Sequence, residues 1–261
     1  MWLLVLGILA VFGISFIYSN LGMGGGVLFV PLLLAITTHD EDTVVAISLC
    51  LVLANCITSL WNHQREKLVD WKLAGTMAFG AGVGTVVGVW FNINTGKDVF
   101  LLVFMGVVVA VIIKMLLDWA RQAKICESDD ESKMTGGRVA AASTGTVASG
   151  FMSGALGLGG GVINVPLLIY VLGRCTKRAA GTSFVIMLVS GVIGLLAYMA
   201  SGTEIDWTYA AALTPVVFLG SFIGSRWGIK KLKGRHVQFL FILVLALAIV
   251  KSFYDLMLMF S

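Results

Sequence analysis

Two stretches of the sequence decide its organisation: residues 21–34 read LGMGGGVLFVPLLL, and residues 156–169 read LGLGGGVINVPLLI. The two stretches match at 10 of 14 positions, and their starting points define a fixed offset along the chain, called the repeat offset below. Further pairs follow in the same order at nearly the same offset, among them Ser48 with Ser183 and Asp70-Trp71 with Asp206-Trp207. Self-similarity at a fixed offset is the mark of a duplicated structural unit. The chain is therefore predicted to consist of a first repeat (1–122), a polar linker (123–137) and a second repeat (138–261).

The composition predicts an integral membrane protein. Of the 261 residues, 58% are hydrophobic and only 12% are charged, whereas a soluble domain has roughly 25% charged residues. The apolar runs are continuous rather than alternating, which favours spanning helices over a β-barrel. The net charge of +4 is not gathered into a basic stripe, so the pattern excludes a nucleic-acid partner. We expect an all-α polytopic protein whose surroundings are the lipid bilayer.

Each repeat opens with an uncharged stretch that is too long for one span of about 20 residues. These stretches are residues 1–39 and 139–173, and a glycine triad interrupts the middle of each (Gly24, Gly25, Gly26 and Gly159, Gly160, Gly161). Glycine weakens a helix by roughly 1 kcal/mol relative to alanine and permits positive φ. We therefore expect a broken pair in each repeat, either a re-entrant hairpin or two tilted helices, followed by three spanning helices.

The distribution of basic residues predicts the topology. Lys and Arg cluster in the four segments 65–72, 121–138, 174–178 and 226–235, which hold 15 of the 18 basic residues. The positive-inside rule places all four on the cytoplasmic side only if each broken pair crosses an even number of times. Each repeat then makes an odd number of crossings, so the second repeat has inverted topology. The prediction is a multi-pass protein of the cell (inner) membrane, with a cytoplasmic linker and both termini extracytoplasmic.

The glycine triads are the main candidates for substrate binding. Interrupted segments at matching positions of two repeats point to the central site of a transporter. Freed backbone N–H groups at the triads could bind a small anion, and glycine lets an oxyanion approach closely. The alternative is that the glycines only permit close helix packing. Polar side chains near the triads are candidate further donors: Ser48, Thr182, Ser183, Asn20 and Asn164.

His63 is a candidate proton relay, because imidazole ionises near neutral pH. It shares a helix face with Asn55 and Ser59, and a purely structural role for it remains open. The sequence contains no CxxC pair, no Walker loop and no dinucleotide fingerprint. We therefore expect no catalytic residues, no metal and no cofactor.

The duplicated LGxGGGxxxVPLL motif, the A-x-S segment that follows it and HQREKLVDWKLA (63–74) make the chain resemble the TauE/SafE family of membrane permeases. The resemblance covers essentially the whole chain. It implies export of sulfite or an organosulfonate. In the first repeat Ala46-Ile47-Ser48 replaces the family's usual Gly-Thr-Ser, which stands at 181–183.

These observations favour a secondary transporter that moves a small sulfur-containing anion, such as sulfite or a C2 sulfonate. We expect it to act as an exporter by alternating access between the two repeats. Two alternatives stay open: an anion channel on the same scaffold, and a membrane enzyme or a subunit that supports one. A second copy of the chain, in a homodimer, is a candidate partner.

Overall fold

A computed structural model describes residues 2–96 and 135–231, together with Asp129 and several positions between 99 and 113. The described residues form helices and contain no strand, as the composition predicted. Residues 232–261, which include the uncharged stretch 236–250, and most of the linker lie outside the described residues. The number of spans per repeat and the repeat boundaries therefore stay predictions.

The two repeats have the same order of helices. The first comprises α1 (Trp2–Leu21), α2 (Gly26–Ile36), α3 (Glu41–Arg65) and α4 (Trp71–Ile93). The second comprises α5 (Gly136–Leu156), α6 (Gly161–Pro166), α7 (Thr176–Ala200) and α8 (Trp207–Lys231). A π-helical turn, Leu167–Val171, extends α6. In the described part of the chain, α3, α4, α7 and α8 are long and apolar enough to cross a membrane.

The predicted breaks are confirmed. The first break (residues 22–25) separates α1 from the 11-residue α2, and the second break (residues 157–160) separates α5 from the six-residue α6. Helices of these lengths, at about 1.5 Å per residue, are too short to cross a hydrocarbon core of about 30 Å. Each short helix therefore begins inside the bundle, and the backbone N–H and C=O groups of the break before it lie there as well.

Contacts between the repeats are reciprocal. Helix α4 packs most extensively against α5, and its counterpart α8 is the principal neighbour of α1. Likewise α3 of the first repeat packs on α8, and α7 of the second packs on α4. This exchange of equivalent contacts is what a two-fold relation between the repeats produces.

Glycines allow the close α4–α5 and α1–α8 contacts. A Cβ added at Gly84 or Gly88 would collide with the carbonyl oxygens of Val147 and Phe151 on α5. A Cβ at Gly224 of α8 would collide in the same way with Phe16 O on α1. Small residues at helix interfaces let backbones approach within a membrane. The contacts advance together along both helices, so α4 runs parallel to α5 and α1 runs parallel to α8.

Candidate functional site

The two breaks are built from glycines in left-handed backbone conformations. In the first break Gly24 and Gly25 have φ of 70° and 89°, and in the second Gly159 and Gly160 both have φ of 74°. Residues with a Cβ rarely adopt these conformations. Pro31 and Pro166 lie in the short helices that follow. The triads are therefore needed for the path of the chain, whatever else they do.

The two breaks meet each other at the centre of the bundle. A Cβ added at Gly26 would collide with the carbonyl oxygen of Gly157. A Cβ added at the equivalent Gly161 would collide with the carbonyl oxygen of Gly22. The first residue of each short helix thus lies directly against the backbone of the opposite break. The sequence predicted that the triads share one site, and the structure brings them together.

Two buried serines connect the breaks. Ser48 Oγ donates to Gly157 O at 3.0 Å, and its counterpart Ser183 Oγ donates to Gly22 O at 2.7 Å. Both side chains are fully buried. A hydroxyl has a single hydrogen to donate. In this conformation the two predicted anion donors therefore stabilise the contact between the repeats, and donation to a substrate requires these bonds to break.

Val52 and Met187, which are related by the repeat offset, fill the space in front of the breaks. A Cβ added at Gly159 would lie 2.7 Å from Met187 Cε and 2.8 Å from Val52 Cγ1. A Cβ added at Gly24 would meet the same two side chains. In this conformation two apolar side chains thus cover the first glycine of each triad, Gly24 and Gly159. The sequence analysis missed both residues, although the repeat offset pairs them.

A polar track along α3 joins the first break to His63. Asn55 Nδ2 donates to Gly24 O at 3.0 Å, and Asn55 Oδ1 accepts from Ser59 Oγ at 2.9 Å. His63 Nδ1 lies 2.8 Å from the carbonyl oxygen of Ser59, and its ring packs edge-on against Phe184. The predicted common face of these residues is confirmed. The proton-relay role of His63 stays a prediction.

Asn20 and Thr182 are directed away from the breaks. Asn20 Nδ2 donates to Gly224 O of α8 at 2.9 Å. Thr182 Oγ1 accepts from the backbone N–H of Asp70 at 3.1 Å. In this conformation Asn20 therefore contributes to helix packing, and Thr182 holds the loop before α4. Their predicted contact with substrate stays a prediction.

Asn164 is different from the other predicted residues. Its side chain has no exposed surface, and neither Oδ1 nor Nδ2 has a hydrogen-bond partner. Leaving a buried polar group unpaired costs about 1–3 kcal/mol. Its counterpart in the first repeat is Phe29, whose ring lies 2.9 Å from a Cβ added at Gly25. A polar residue thus replaces an apolar one beside the second break.

Polar contacts between side chains hold the loops together at both ends of the bundle. At the basic end (65–72, Asp129 and 174–178), the guanidinium of Arg174 pairs with Asp70 and Asp129, and Arg178 also pairs with Asp129. At the acidic end (39–42 and 201–206), His39 Nε2 lies 3.4 Å from Asp206 Oδ2. His39 and Arg174 are related by the repeat offset, so equivalent positions close the two ends.

The pKa of Asp129 is lowered by its partners. Partial burial of the carboxyl raises the pKa, but the Cys175 N–H, at 2.8 Å, and the guanidinium groups of Arg178 and Arg174 outweigh this effect. Asp129 is therefore a charged contact between the linker and the loop that follows α6.

An open apolar groove between α3 and α8 lies elsewhere. Its lining includes Cys50, Trp207 and Phe218 and no charged side chain. The groove is apolar for most of its lining and lies apart from the paired glycine segments, so the breaks remain the candidate site.

The geometry is that of a polytopic helical membrane protein with two equivalent broken segments at its centre, an arrangement typical of secondary transporters. The sulfite exporter TauE/SafE family model matches residues 7–252. The chain belongs to this family of membrane transporters.

Curated relatives agree with this assignment. The probable membrane transporter protein YunE of Bacillus subtilis is 28% identical over 85% of this chain and 86% of its own length. The probable membrane transporter protein MJ0441 of Methanocaldococcus jannaschii is 27% identical over 78% of this chain and 76% of its own. A probable membrane transporter protein of Xylella fastidiosa is 26% identical over 86% of this chain and 84% of its own. No solved structure matches the chain.

Proposed function

We propose that this protein is a secondary transporter that exports a small sulfur-containing anion, sulfite or a C2 sulfonate, across the cytoplasmic membrane. The observation that carries the proposal is the meeting of two equivalent breaks inside the bundle, each built mainly of glycines, whose backbone carries no side chain of its own. The family's description as sulfite exporters supports the substrate class.

The proposed site is the space between the breaks. A small anion that enters it loses hydration, so several donors must replace water at once. Backbone N–H groups at Gly24–Gly26 and Gly159–Gly161 are candidates, that of Gly25 once its 2.9 Å bond to Met23 O opens. Ser48 and Ser183 are further donors once their bonds to the opposite break open. A site that holds its substrate with neutral donors also releases it readily.

The proposed mechanism is alternating access between inverted repeats. Helix α1 runs parallel to α8, which starts at the acidic end, and α5 starts near the basic end beside the start of α4. The two broken pairs would thus enter the bundle from opposite ends. With the basic end cytoplasmic by the positive-inside rule, the N-terminus would lie outside the cell.

Movement of Val52 and Met187 would open the site. In the present conformation they cover the first glycine of each triad, Gly24 and Gly159, which favours a gated transporter over a permanently open anion channel. Because the two side chains occupy equivalent positions, displacement of either would expose the site toward one end. The polar contacts of the basic and acidic ends would open in turn.

Flux measurements on the purified full-length protein test the proposal. Proteoliposomes loaded with radiolabelled sulfite or isethionate should lose the label in a saturable manner, faster than protein-free liposomes. Flux that rises linearly with concentration would establish the channel instead. Flux equal to that of protein-free liposomes for both anions would contradict the substrate assignment.

A further inference from the structure

The second break differs from the first in the polarity of its surroundings. Ser149 and Asn164 occupy the positions of Ile14 and Phe29, each pair being related by the repeat offset. Ser149 Oγ donates to Gly160 O at 2.9 Å, whereas Ile14 and Phe29 present only carbon atoms to Gly25. The two breaks have the same backbone, but Ser149 gives the second a polar neighbour where the first has only carbon atoms.

Of Ser149 and Asn164, only Asn164 has a side chain without a hydrogen-bond partner. The Asn164 backbone N–H donates to Gly160 O at 3.1 Å, and its carbonyl accepts from the N–H of Leu167. The carboxamide, in contrast, is fully buried with both polar atoms unpaired. Within residues 2–96 and 135–231, no other buried carboxamide has both its atoms unpaired, since Asn20 lacks a partner only at Oδ1.

The helix that carries Asn164 is also irregular. Helix α6 changes to a π-helical turn at Leu167, directly after Pro166, whereas α2 continues as an α-helix through Pro31 to Ile36. Single π turns interrupt α-helices frequently at functional sites. The irregular turn therefore marks the same short helix that holds the unpaired carboxamide.

We propose that Asn164 is the specificity-determining residue of the transport site. It selects anions that carry a hydrogen-bond donor beside the oxyanion over the same anions without one. Such ligands are a protonated sulfur oxyanion or a sulfonate with a neighbouring hydroxyl or ammonium group. This inference rests on the proposed function and names the substrate class within it.

The chemistry of the carboxamide determines this preference. The Asn164 NH2 group donates to an oxyanion, while its carbonyl oxygen needs a donor from the ligand. A fully deprotonated anion would satisfy only the NH2 group and would leave Oδ1 buried and unpaired. Sites that bond a substrate hydroxyl reject analogues lacking it, because the protein group is then left without a partner.

A pair of matched ligands tests the inference on the purified full-length protein. Isethionate and ethanesulfonate carry the same charge and differ by one hydroxyl, and their dissociation constants are measured by ligand-induced thermal stabilisation. The wild type should bind isethionate about fivefold more tightly, the scale of one net hydrogen bond. Sulfite should bind more tightly at the lower pH at which it carries a proton.

Variants at equivalent positions provide the control. Asn164→Leu keeps the branched shape of the side chain and removes both polar atoms, so the ratio of the two dissociation constants should fall to about one. Phe29→Leu alters the apolar counterpart and should retain the wild-type preference. Where Asn164→Leu fails to fold, Asn164→Ala, which also removes both polar atoms, serves in its place. A wild-type ratio of about one overturns the inference without any variant.

The outcomes separate this inference from the proposed function. If the wild type transports or binds the sulfonates without discriminating between them, or if Asn164→Leu retains the preference, the inference is overturned and the proposed function stands. If the wild type binds neither sulfonate nor sulfite, the proposed function is wrong and the inference falls with it.

Discussion

The first and second breaks have the same backbone and the same glycines, yet different surroundings. Around Gly25 lie Ile14 and Phe29, which are apolar and buried. Beside Gly160 lies Ser149, and the residue equivalent to Phe29 is the unpaired Asn164. The backbone of the two breaks is symmetric, whereas the side chains at equivalent positions are not. We infer that both repeats build the fold, whereas the second repeat is specialised for recognising the substrate.

The basic and acidic ends of the bundle also occupy equivalent positions in the two repeats but differ in their side chains. Arg174 at the basic end pairs with two carboxylates and has a side chain only 9% exposed, whereas His39 at the acidic end pairs with one and is 33% exposed. Buried pairs are costly to break from one side, and exposed pairs contribute little. The basic end is therefore the more firmly closed of the two in this conformation.

The largest expected effect is at the point where the breaks meet. Gly161→Ala and Gly26→Ala should each lower the free energy of unfolding by about 3 kcal/mol, because the new methyl meets backbone that cannot move aside. The reciprocal contact predicts similar losses in both repeats. The measurement is thermal unfolding of the purified protein in detergent.

Gly13→Ala is the matched control, since no atom lies within 4 Å of the added Cβ. It should leave stability unchanged or slightly higher. Equal melting temperatures for all three variants would show that the breaks do not touch as described.

A second comparison concerns the ends. Arg174→Gln should lower the free energy of unfolding by about 3 kcal/mol, because it leaves the largely buried carboxylate of Asp70 without its cation. The equivalent change His39→Gln should lower the free energy of unfolding by less than about 1 kcal/mol. Chemical or thermal unfolding of both variants measures the difference, and equal losses would remove the asymmetry between the ends.

The bridging serines provide a smaller, symmetric effect. Ser48→Ala and Ser183→Ala should each cost about 1 kcal/mol of stability, because each leaves a carbonyl of the opposite break without its side-chain donor. If the hydroxyls also bind substrate, the dissociation constant should rise about fivefold in the same variants. Unchanged stability together with weaker binding would show that the serines serve the substrate alone.

The smallest effect is the dependence on pH at the linker contact. Because the folded-state pKa of Asp129 is lowered, its stabilisation is present above the ordinary value of about 3.9 and is lost as the pH falls through the folded-state pKa. The difference in melting temperature between wild type and Asp129→Asn should therefore hold at neutral pH and shrink in strong acid. A difference that grew on acidification would contradict the described ion pairs.

Much of the fold could be predicted from the sequence because duplication repeats every signal. The glycine triads predicted where the helices break. The charges of the loops predicted which segments lie together at the basic end and which at the acidic end. The partners of single side chains could not be predicted. Spacing places Ser48 on a helix near the first break, but it does not reveal that the acceptor is a carbonyl of the opposite break.

Other details lack any sequence signal. Val52 and Met187 are apolar residues in apolar helices, so only their shared offset distinguishes them. The direction of Asn20 toward α8 depends on the rotation of α1, which an almost uniformly apolar helix does not specify. Asn164 was predicted for the site, but its unpaired state depends on packing that no spacing rule supplies.

The account depends most on the inversion of the repeats, and cysteine accessibility tests it directly. Asp42 and Lys177 are equivalent positions under the repeat offset, and each is changed to cysteine in a background without the four native cysteines. A membrane-impermeant maleimide should label Asp42→Cys in intact cells, and should label Lys177→Cys only after the membrane is permeabilised. Labelling of both from the same side would contradict inverted repeats and the alternating-access mechanism built on them.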